Sequence, residues 1–412
     1  MFQNSKDTIV AIATASGKGG VGVVRLSGEN LEDYIHGILG KTIKPRQATY
    51  SQFLDSTGDT IDEGIALYFP APNSFTGETV LELQGHGGMV ILDALVRRCV
   101  ELGSRIARPG EFSERAFIND KMDLAQAEAV ADLIDATSIE AARSAVRSMQ
   151  GEFSALITHL VEDMIQTRIY VEAAIDFPEE EIDFLKDESL LARLDKLTND
   201  LSSVLSQAQQ GSLLRDGLTL VLAGKPNSGK SSLLNALAGN DVAIVTPVAG
   251  TTRDVLRERI ILEGLPLNII DTAGLRDTEN QIEREGVRRA WREIESADQV
   301  LFLVDSTEGK TPDLKSVWPE FFERYPESKQ RLTLLLNKID ISGIPEGAVV
   351  GQKDAFGISA KEKTGFDGLV SHLKESAGFF GDSGGLFSAR RRHLASLEKA
   401  LELVTIGVDQ LQ

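Results

Sequence analysis

One stretch limits what this chain can fold into more than any other: Gly224-Lys225-Pro226-Asn227-Ser228-Gly229-Lys230-Ser231, which reads G-x-x-x-x-G-K-S. An apolar run, Leu218 to Ala223, leads into it, and a helix-like run, Ser232 to Leu237, leads out. A glycine-rich loop between a strand and a helix is the setting of a phosphate-binding loop. Glycines let the backbone curl until its N–H groups point at phosphate oxygens. The helix that follows turns its positive dipole end toward the same anion. Lys230 adds a full charge near the β and γ oxygens, and the Ser231 hydroxyl is a ligand for Mg²⁺.

Further motifs follow in order. Gly250-Thr251-Thr252 lies in a polar loop after Val242–Val245, and a hydroxyl there reaches Mg²⁺ from the far side of the γ-phosphate. Leu267–Ile270 reads as a buried strand ending in Asp271-Thr272-Ala273-Gly274, a D-x-x-G. Asp271 orients the metal through its shell, and the Gly274 N–H faces the γ-phosphate. Such loops tighten on a triphosphate and relax after hydrolysis. Leu332–Leu336 ends in Asn337-Lys338-Ile339-Asp340, an N-K-x-D. The Asp340 carboxylate accepts from both N1–H and the N2 amine of guanine, whereas adenine opposes it with an acceptor. A mismatch of that kind discriminates by roughly 10⁴ or more. The Lys338 stem lies along the base, Asn337 braces the loops, and Ser359-Ala360-Lys361 brings a backbone N–H to guanine O6. Alternating strands and helices over 211–378 predict a doubly wound sheet with its ligand at the carboxyl edge.

The nucleotide contacts expected from these loops are Asn227, Ser228, Gly229, Lys230, Ser231 and Ser232, then Thr246, Pro247, Val248, Ala249, Gly250, Thr251 and Thr252. Asp271, Thr272, Ala273 and Gly274 come next, followed by Asn337, Lys338, Asp340, Ser359, Ala360 and Lys361. Together they predict GTP and Mg²⁺, with Lys230 and Thr252 acting on the phosphates. Many small GTPases place a water-orienting glutamine just after D-x-x-G. Here Leu275 stands there and cannot hold a water. Asn227, with carbonyls from the Thr246–Thr251 loop, offers a cradle for a monovalent cation where a finger arginine would sit. Glu283 is the candidate to orient the attacking water.

Composition bounds the rest. The 412 residues suggest two or three domains. Asp and Glu number 62 against 43 Lys and Arg, a formal net charge of −19. A chain this acidic repels polyanions at long range, so nucleic acid must meet a local basic patch or be held by a partner. The single cysteine, Cys99, allows no intramolecular disulfide and no cysteine cluster for zinc, in keeping with a reducing cytoplasm. No apolar run approaches the roughly eighteen residues of a membrane helix. The apolar stretch Ile9–Ala15 reads as a strand before a glycine turn rather than a leader peptide.

Residues 1–118 read as short strands with one clear helix. The strands expected are Thr8–Ala13, Val21–Leu26, Gly64–Phe69 and Thr79–Leu83, and Met89 to Leu102 has helical spacing. Pro72-Asn73-Ser74-Phe75-Thr76-Gly77 and Gln84-Gly85-His86-Gly87-Gly88 read as turns. His86 among glycines is a candidate ligand or base, with a turn histidine bonding its own backbone as the favoured reading; no second histidine or carboxylate has metal-ligand spacing with it. From about 119 the period becomes helical: Leu124, Ala127, Val130 and Ile134, then a stripe from Ala141 through Met149 and Phe153 to Met164. Thr137-Ser138-Ile139-Glu140 matches a capping box. Pro178 and Glu179–Glu181 interrupt the stripe, and Leu190 to Leu205 resumes it, which predicts a helical bundle over 119–210.

With these residues in view, the chain resembles the MnmE (TrmE) family of tRNA uridine-modification GTPases nearly end to end. The stretches that carry the resemblance are Gly19-Gly20-Val21-Gly22 with Arg25, Pro72 to Glu78, and Leu83-Gln84-Gly85-His86-Gly87-Gly88. Arg108-Pro109-Gly110-Glu111-Phe112-Ser113, Asp123-Leu124-Ala125-Gln126-Ala127-Glu128 and the nucleotide motifs complete them. The resemblance implies an α+β N-terminal domain (1–118) that binds a 5-formyl- or 5,10-methylene-tetrahydrofolate and forms a homodimer. It implies a helical domain (119–210 with 379–412) split around an inserted, potassium-activated G domain (211–378). It further implies an FAD-binding partner, MnmG (GidA), in a heterotetramer, and addition of a (carboxymethyl)aminomethyl group to the wobble uridine of certain tRNAs. Residue by residue, Arg25, Glu82 and Lys121 match the family's folate contacts. Asn227, Thr246, Val248 and Thr251 match its potassium site, Ser231 and Thr252 its magnesium ligands, and Glu283 its water-orienting glutamate. The family's usual Cys-Ile-Gly-Lys-like tail has no counterpart here, so the helical domain reads as cut short. On that reading a chain ending at Gln412 hydrolyses GTP and binds folate without modifying tRNA, and Cys99 is a structural thiol. Two alternatives stand beside this reading: a ribosome-assembly GTPase, and a folate-dependent one-carbon transferase with a regulatory G domain.

Overall fold

A computed structural model describes residues 7–176, 188–239, 256–271, 281–308, 318–325, 332–349, 354–379 and 385–411. The chain divides into two compact units, 1–128 and 129–412.

The first unit is built on a six-stranded sheet. Its strands are β1 (Ile9–Ile12), β2 (Gly19–Gly28), β3 (Thr49–Leu54), β4 (Thr60–Phe69), β5 (Thr79–Gly87) and β6 (Arg105–Ile106), in the order β3-β4-β5-β2-β1-β6. The β1–β6 pair is parallel and the other pairs are antiparallel. Helices α1 (Glu32–Leu39) and α2 (Met89–Glu101) supply Tyr34, Ile35, Ile38, Leu92, Leu95 and Cys99 to a core with Val24, Leu26, Leu81 and Leu83 from the sheet. A short α3 (Glu111–Ile118) follows β6, and α4 (Leu124–Ile134) spans the division between the units. On β5, Leu81 and Leu83 are buried while Glu82, Gln84 and His86 are not, so alternation gives one apolar and one polar face.

Several expectations for this unit need correction. Gln84–Gly87 is strand, not turn: β2 pairs with it through Gly22↔Gly85 and Gly19↔Gly87. The sequence shows no period-2 apolar pattern there because one face is glycine and the other polar. β3, α1 and α3 were not expected. Their apolar positions are few and short, and α1 gains its burial from β3 and α2.

In the second unit, α5 (Ile139–Met149), α6 (Glu152–Asp176), α7 (Glu188–Asp216) and α13 (Arg391–Leu411) are the helical part. The stripe from Ala141 to Met164 is broken, because α5 stops at Met149 and α6 restarts at Glu152. The α5 cap is Ser138, whose side chain accepts from the Ala141 N–H at 3.0 Å, one residue later than the capping-box reading. The Phe153 and Phe387 rings meet at a tilt with centres 4.8 Å apart, and Ser148 Oγ donates to the Ser388 carbonyl at 3.1 Å, fixing segment 385–390 to the helices.

A seven-stranded sheet fills the rest of this unit. Its strands are β7 (Leu218–Gly224), β8 (Leu256–Leu262), β9 (Leu265–Asp271), β10 (Gln299–Asp305), β11 (Leu332–Asn337), β12 (Gly347–Ala348) and β13 (Ala355–Ile358). The order is β12-β13-β11-β10-β7-β9-β8, parallel from β13 to β9 with β12 and β8 antiparallel at the edges. Helices α8 (Lys230–Ala238), α9 (Gln281–Ser296), α10 (Pro319–Arg324), α11 (Ile339–Ser342) and α12 (Phe366–Ser376) accompany it. Leu220 and Leu222 of β7 belong to the core that α8 and α12 cover, and Val221 and Ala223 to the core holding Ile294, Trp318 and Phe321. A strand buried on both faces reads as a continuous apolar run, as Leu218–Ala223 does. Because the strand order reverses at β7, the crevice at its carboxyl end is where such a sheet takes a ligand.

Candidate nucleotide site and the polar face of the N-terminal sheet

The carboxyl ends of five parallel strands collect the candidate residues: Gly224 after β7, Asp271 at β9, Asp305 at β10, Asn337 at β11 and Ser359 after β13. The loop after β7 is tightly held. Gly229 has φ +100°, and any side chain there would run into the Asn337 amide. Asn337 is buried; its Nδ2 donates to the Ser228 carbonyl at 2.8 Å, and its Oδ1 accepts from the Ala360 N–H at 3.0 Å. One side chain therefore joins the phosphate loop, the N-K-x-D turn and the Ser359-Ala360-Lys361 loop.

Lys230 donates Nζ to the Gly224 carbonyl at 2.9 Å and the Lys225 carbonyl at 3.1 Å. Burial lowers its pKa, with Asp271 working the other way. Burial likewise raises Asp271, offset in part by Lys230. Asp271 Oδ1 and Ser228 Oγ are buried without a hydrogen-bond partner. The orphaned Asp271 carboxylate oxygen at the end of β9 and the orphaned Ser228 hydroxyl in the phosphate loop are each oxygen donors of the kind that suits Mg²⁺. Asn227 is exposed with φ +64°, a conformation asparagine tolerates, and it is free to contact a cation or phosphate.

In the base pocket, Asp340 Oδ1 accepts from Ser359 Oγ at 2.7 Å. Lys338 takes φ +68° at the start of α11, and its Nζ lies 2.5 Å from Asp305 Oδ2. That contact, with the Thr307 hydroxyl, holds the Asp305 carboxyl down at about 2. Asp305 fixes the lysine beside the base site and was not singled out in the sequence. Its signal is an aspartate closing an apolar strand, the same pattern that marks Asp271. Lys361 is exposed beside Glu362. Thr246 to Thr252 and Thr272 to Leu275 lie outside the described residues, as do Val242–Val245 and Pro178–Glu181. Glu283 falls within α9, where only its backbone is described.

In the first unit, Arg25 Nε and Nη2 each lie 2.8 Å from Glu82 Oε1, across the β2–β5 pairing. The Arg25 guanidinium sits 5.5 Å from the Phe75 ring centre and 5.9 Å from that of Phe112. Lys121 borders the same 72–78 segment, its stem against Gly77. A guanidinium–carboxylate pair beside an aromatic ring suits a planar heteroaromatic ligand with hydrogen-bonding edges, as a pterin has. Behind this face lies an ion-pair network absent from the sequence reading. Buried Arg115 contacts Glu78 at 2.9 Å, Asp7 at 2.9 Å and Glu111 at 3.3 Å, while Arg105 contacts Glu111 at 2.6 Å. It accounts for Arg108-Pro109-Gly110-Glu111, since Glu111 also accepts from the Arg108 N–H at 2.8 Å. Cys99 is fully buried, and burial pushes its thiol up to about 12, so it is no nucleophile near neutral pH.

His86 is neither in a turn nor bonded to its own backbone. Its backbone N–H donates to Asp62 Oδ2 at 2.7 Å, and its Nδ1 lies 2.7 Å from Asp62 Oδ1. Asp62 is distant in sequence and reaches His86 from β4, so linear spacing could not reveal the pair.

A cavity of about 520 Å³ in the second unit is lined by residues that include Asp132, Ser144, Arg215, Arg259 and Arg390, none of them among the sequence candidates.

Residues 8–121 match the family described as GTP-binding protein TrmE N-terminus, and residues 124–412 match the MnmE helical domain family. The chain belongs to the MnmE family. A curated relative from Pseudomonas syringae pv. syringae, tRNA modification GTPase MnmE, is 56% identical over 409 residues, 98% of this chain and 90% of that protein. The MnmE of Pectobacterium atrosepticum is 57% identical over 410 residues, 99% of this chain and 90% of its own length. Among solved structures, Era in complex with MgGDPNP and a fragment of 16S ribosomal RNA aligns with 39% of this chain and 56% of its own, at 28% identity and a TM-score of 0.30.

Proposed function

We propose that the chain hydrolyses GTP with Mg²⁺ and that its nucleotide cycle serves modification of the wobble uridine of tRNA by a (carboxymethyl)aminomethyl group. The observation that carries this reading is the Asn337 junction between phosphate loop and base pocket, in a chain that matches tRNA modification GTPases from end to end. Residues 211–378 are the G domain, 119–210 with 379–412 the helical domain, and 1–118 the folate-binding and dimerising domain. The N–H groups of the 224–231 loop and the Lys230 ammonium hold the β and γ phosphates, with the Thr252 loop closing on the γ-phosphate. Ser231 and Thr252 would hold the magnesium, with Asp271 behind them; when bound, it neutralises charge developing on the transferred phosphoryl group. Asp340 reads guanine, Lys338 lies along the base, and the Ser359–Lys361 loop faces O6. Glu283 orients the attacking water in place of the absent glutamine.

Potassium held by Asn227, Thr246, Val248 and Thr251 would supply the positive charge that a finger arginine supplies elsewhere. What supports this is the exposed left-handed Asn227 on the phosphate loop. Arg25, Glu82 and Lys121 would hold a 5-formyl- or 5,10-methylene-tetrahydrofolate, supported by the paired Arg25–Glu82 beside Phe75. The partners are a second copy of the chain, the FAD-binding MnmG and tRNA, in the cytoplasm. Among the described residues no helix is long and apolar enough to cross a membrane.

The test is nucleoside analysis of tRNA from cells lacking the gene, with GTP and ATP hydrolysis by the purified protein. Loss of the C5 substituent at the wobble uridine and hydrolysis selective for GTP are expected. Intact wobble nucleosides alongside unprocessed ribosomal subunits would turn the reading to ribosome assembly.

A further inference from the structure

The cavity of about 520 Å³ in the second unit takes no part in the scheme above, and distant parts of the chain build its lining. Asp132 and Asp135 come from the end of α4, Ser144 from α5, and Arg215 and Asp216 from the end of α7. Arg259 comes from β8, and Ser388 and Arg390 from the segment before α13. Small-molecule sites have volumes of roughly 300–1,000 Å³, so the size suits one. Much of the charge is matched within the wall. Arg215 donates to Asp216 from Nε at 2.8 Å and Nη2 at 2.6 Å, and gives Nη1 to the Ala389 carbonyl at 2.8 Å. Arg390 Nη2 donates to Asp132 Oδ1 at 3.2 Å, and Ser388 Oγ donates to the other oxygen of that carboxylate. Gly211 lets the 387–390 segment lie directly on α7, since a side chain there would run into the Phe387 carbonyl. The wall is therefore held in place without any occupant.

Three groups of the lining stay open. Ser144 is only 3% exposed, and its Oγ has no hydrogen-bond partner, whereas a buried hydroxyl normally finds one. Arg259 gives Nε to Asn268 Oδ1 at 2.8 Å, and its two terminal nitrogens have no partner among the described residues. The Asp135 carboxylate likewise has none there, and it follows the last residue of α4, where the helix dipole favours a cation. An open guanidinium and an open carboxylate lining one cavity call for opposite charges. Arg259 suits a carboxylate, which its two terminal nitrogens can hold as a fork. Asp135 suits an ammonium. A simple anion would leave Asp135 unmatched, and a simple cation would leave Arg259 unmatched.

We propose that this cavity binds a small zwitterion of the ω-amino-acid type, its carboxylate on Arg259, its ammonium on Asp135, and the Ser144 hydroxyl supplying a third bond. The site joins the helical part of the unit to the nucleotide-binding sheet. β8 follows the Thr246–Thr252 loop in the chain, and α7 runs into β7 and the phosphate loop. Asn268 of β9 ties the two, accepting from Arg259 and donating Nδ2 to the Asp216 carbonyl at 2.7 Å. An occupant bridges α4 and β8, elements that otherwise meet only through such intermediaries on this wall.

The test is isothermal titration calorimetry on the purified chain. The probes are β-alanine, 4-aminobutyrate and 6-aminohexanoate, which hold their two charges progressively further apart, with acetate and propylamine carrying one end each. The best-fitting amino acid should bind at least about tenfold more tightly than acetate or propylamine, the factor that one charge-assisted hydrogen bond supplies. Arg259→Gln and Asp135→Asn change exposed side chains. Each should weaken that binding by about tenfold or more, and Ser144→Ala by a smaller factor. Melting temperature and GTP affinity should stay at wild-type values in all three variants, which shows that they are folded. Acetate or propylamine binding as tightly as the best amino acid overturns the zwitterion assignment. Amino-acid binding that neither Arg259→Gln nor Asp135→Asn changes places the ligand elsewhere and overturns the site. No saturable heat from any of the probes at millimolar concentration overturns it too, and leaves the Ser144 hydroxyl to water.

Discussion

Asn337 donates its side-chain amide to the Ser228 carbonyl at 2.8 Å, across more than a hundred residues of chain. Its other amide atom receives the Ala360 N–H, so the conformation of the phosphate loop and the position of the guanine loop depend on one buried side chain. Replacing it with alanine leaves a carbonyl and an N–H unpaired in the interior, at about 1–3 kcal/mol each. Asn337→Ala should lower GTP affinity at least tenfold and reduce the melting temperature. Calorimetry with a non-hydrolysable GTP analogue and thermal unfolding check it; wild-type affinity in a folded mutant would show that the loops keep their positions without the brace.

Base selection gives a second expectation. Asp340 is held by Ser359 Oγ with its other oxygen available to a purine edge. Asp340→Asn should weaken GTP binding and admit xanthine nucleotides, because an amide donor suits the O2 that replaces the guanine amine. Competition between GTP and XTP in the mutant is the measurement, and unchanged GTP preference would remove Asp340 from the base pocket.

How far these features were legible depends on how local they are. The phosphate loop, D-x-x-G and N-K-x-D are each continuous in sequence, because a strand end and its turn supply all the groups at once. The helical bundle was legible from its 3.6-residue period, except where α5 gives way to α6 between apolar positions that keep the same spacing. What was illegible is assembled between elements distant in sequence. Asp62 meets His86, Arg115 meets Asp7 and Glu78, and Asp305 meets Lys338 only once the sheets register. β5 was misread past Leu83 because glycines and polar residues form a strand there only by pairing with β2.

The proposed potassium site, with Leu275 in place of a water-orienting glutamine and Asn227 on the phosphate loop, gives a further expectation. Without a finger arginine, charge on the leaving oxygens stays uncompensated, and each tenfold in rate corresponds to about 1.4 kcal/mol of barrier. A cation held by the Asn227 side chain and loop carbonyls offsets part of that. Hydrolysis should be faster in KCl than in NaCl or choline chloride, and Asn227→Ala should lose the difference. The potassium effect should coincide with pairing of G domains in gel filtration. Equal rates in the three salts would reject the cage.

The acid stability of the N-terminal unit tests the network around Glu111. Hydrogen bonds from the Arg105 guanidinium, joined by the Arg108 N–H and Arg115, outweigh burial and hold the Glu111 carboxyl at about 2, against an ordinary 4.5. A carboxyl depressed in the folded state contributes stability that is fully present above its unfolded value and is lost as pH falls through its folded value. The window is therefore pH 4.5 down to about 2, and the contribution is on the order of 3 kcal/mol, less the screening of the half-exposed Arg105. Glu111→Gln should lower stability at neutral pH and flatten its fall below pH 4.5. Arg115 is the more severe change: its removal takes the guanidinium from Glu78 and Asp7, each 2.9 Å away, while Glu111 keeps Arg105, and breaking a buried pair costs about 3–5 kcal/mol. Urea unfolding from pH 7 to pH 2, followed for the N-terminal unit through its own probe, measures both. A Glu111→Gln profile parallel to wild type across that range would mean that the network sets the geometry of the Arg25 face without carrying its pH dependence.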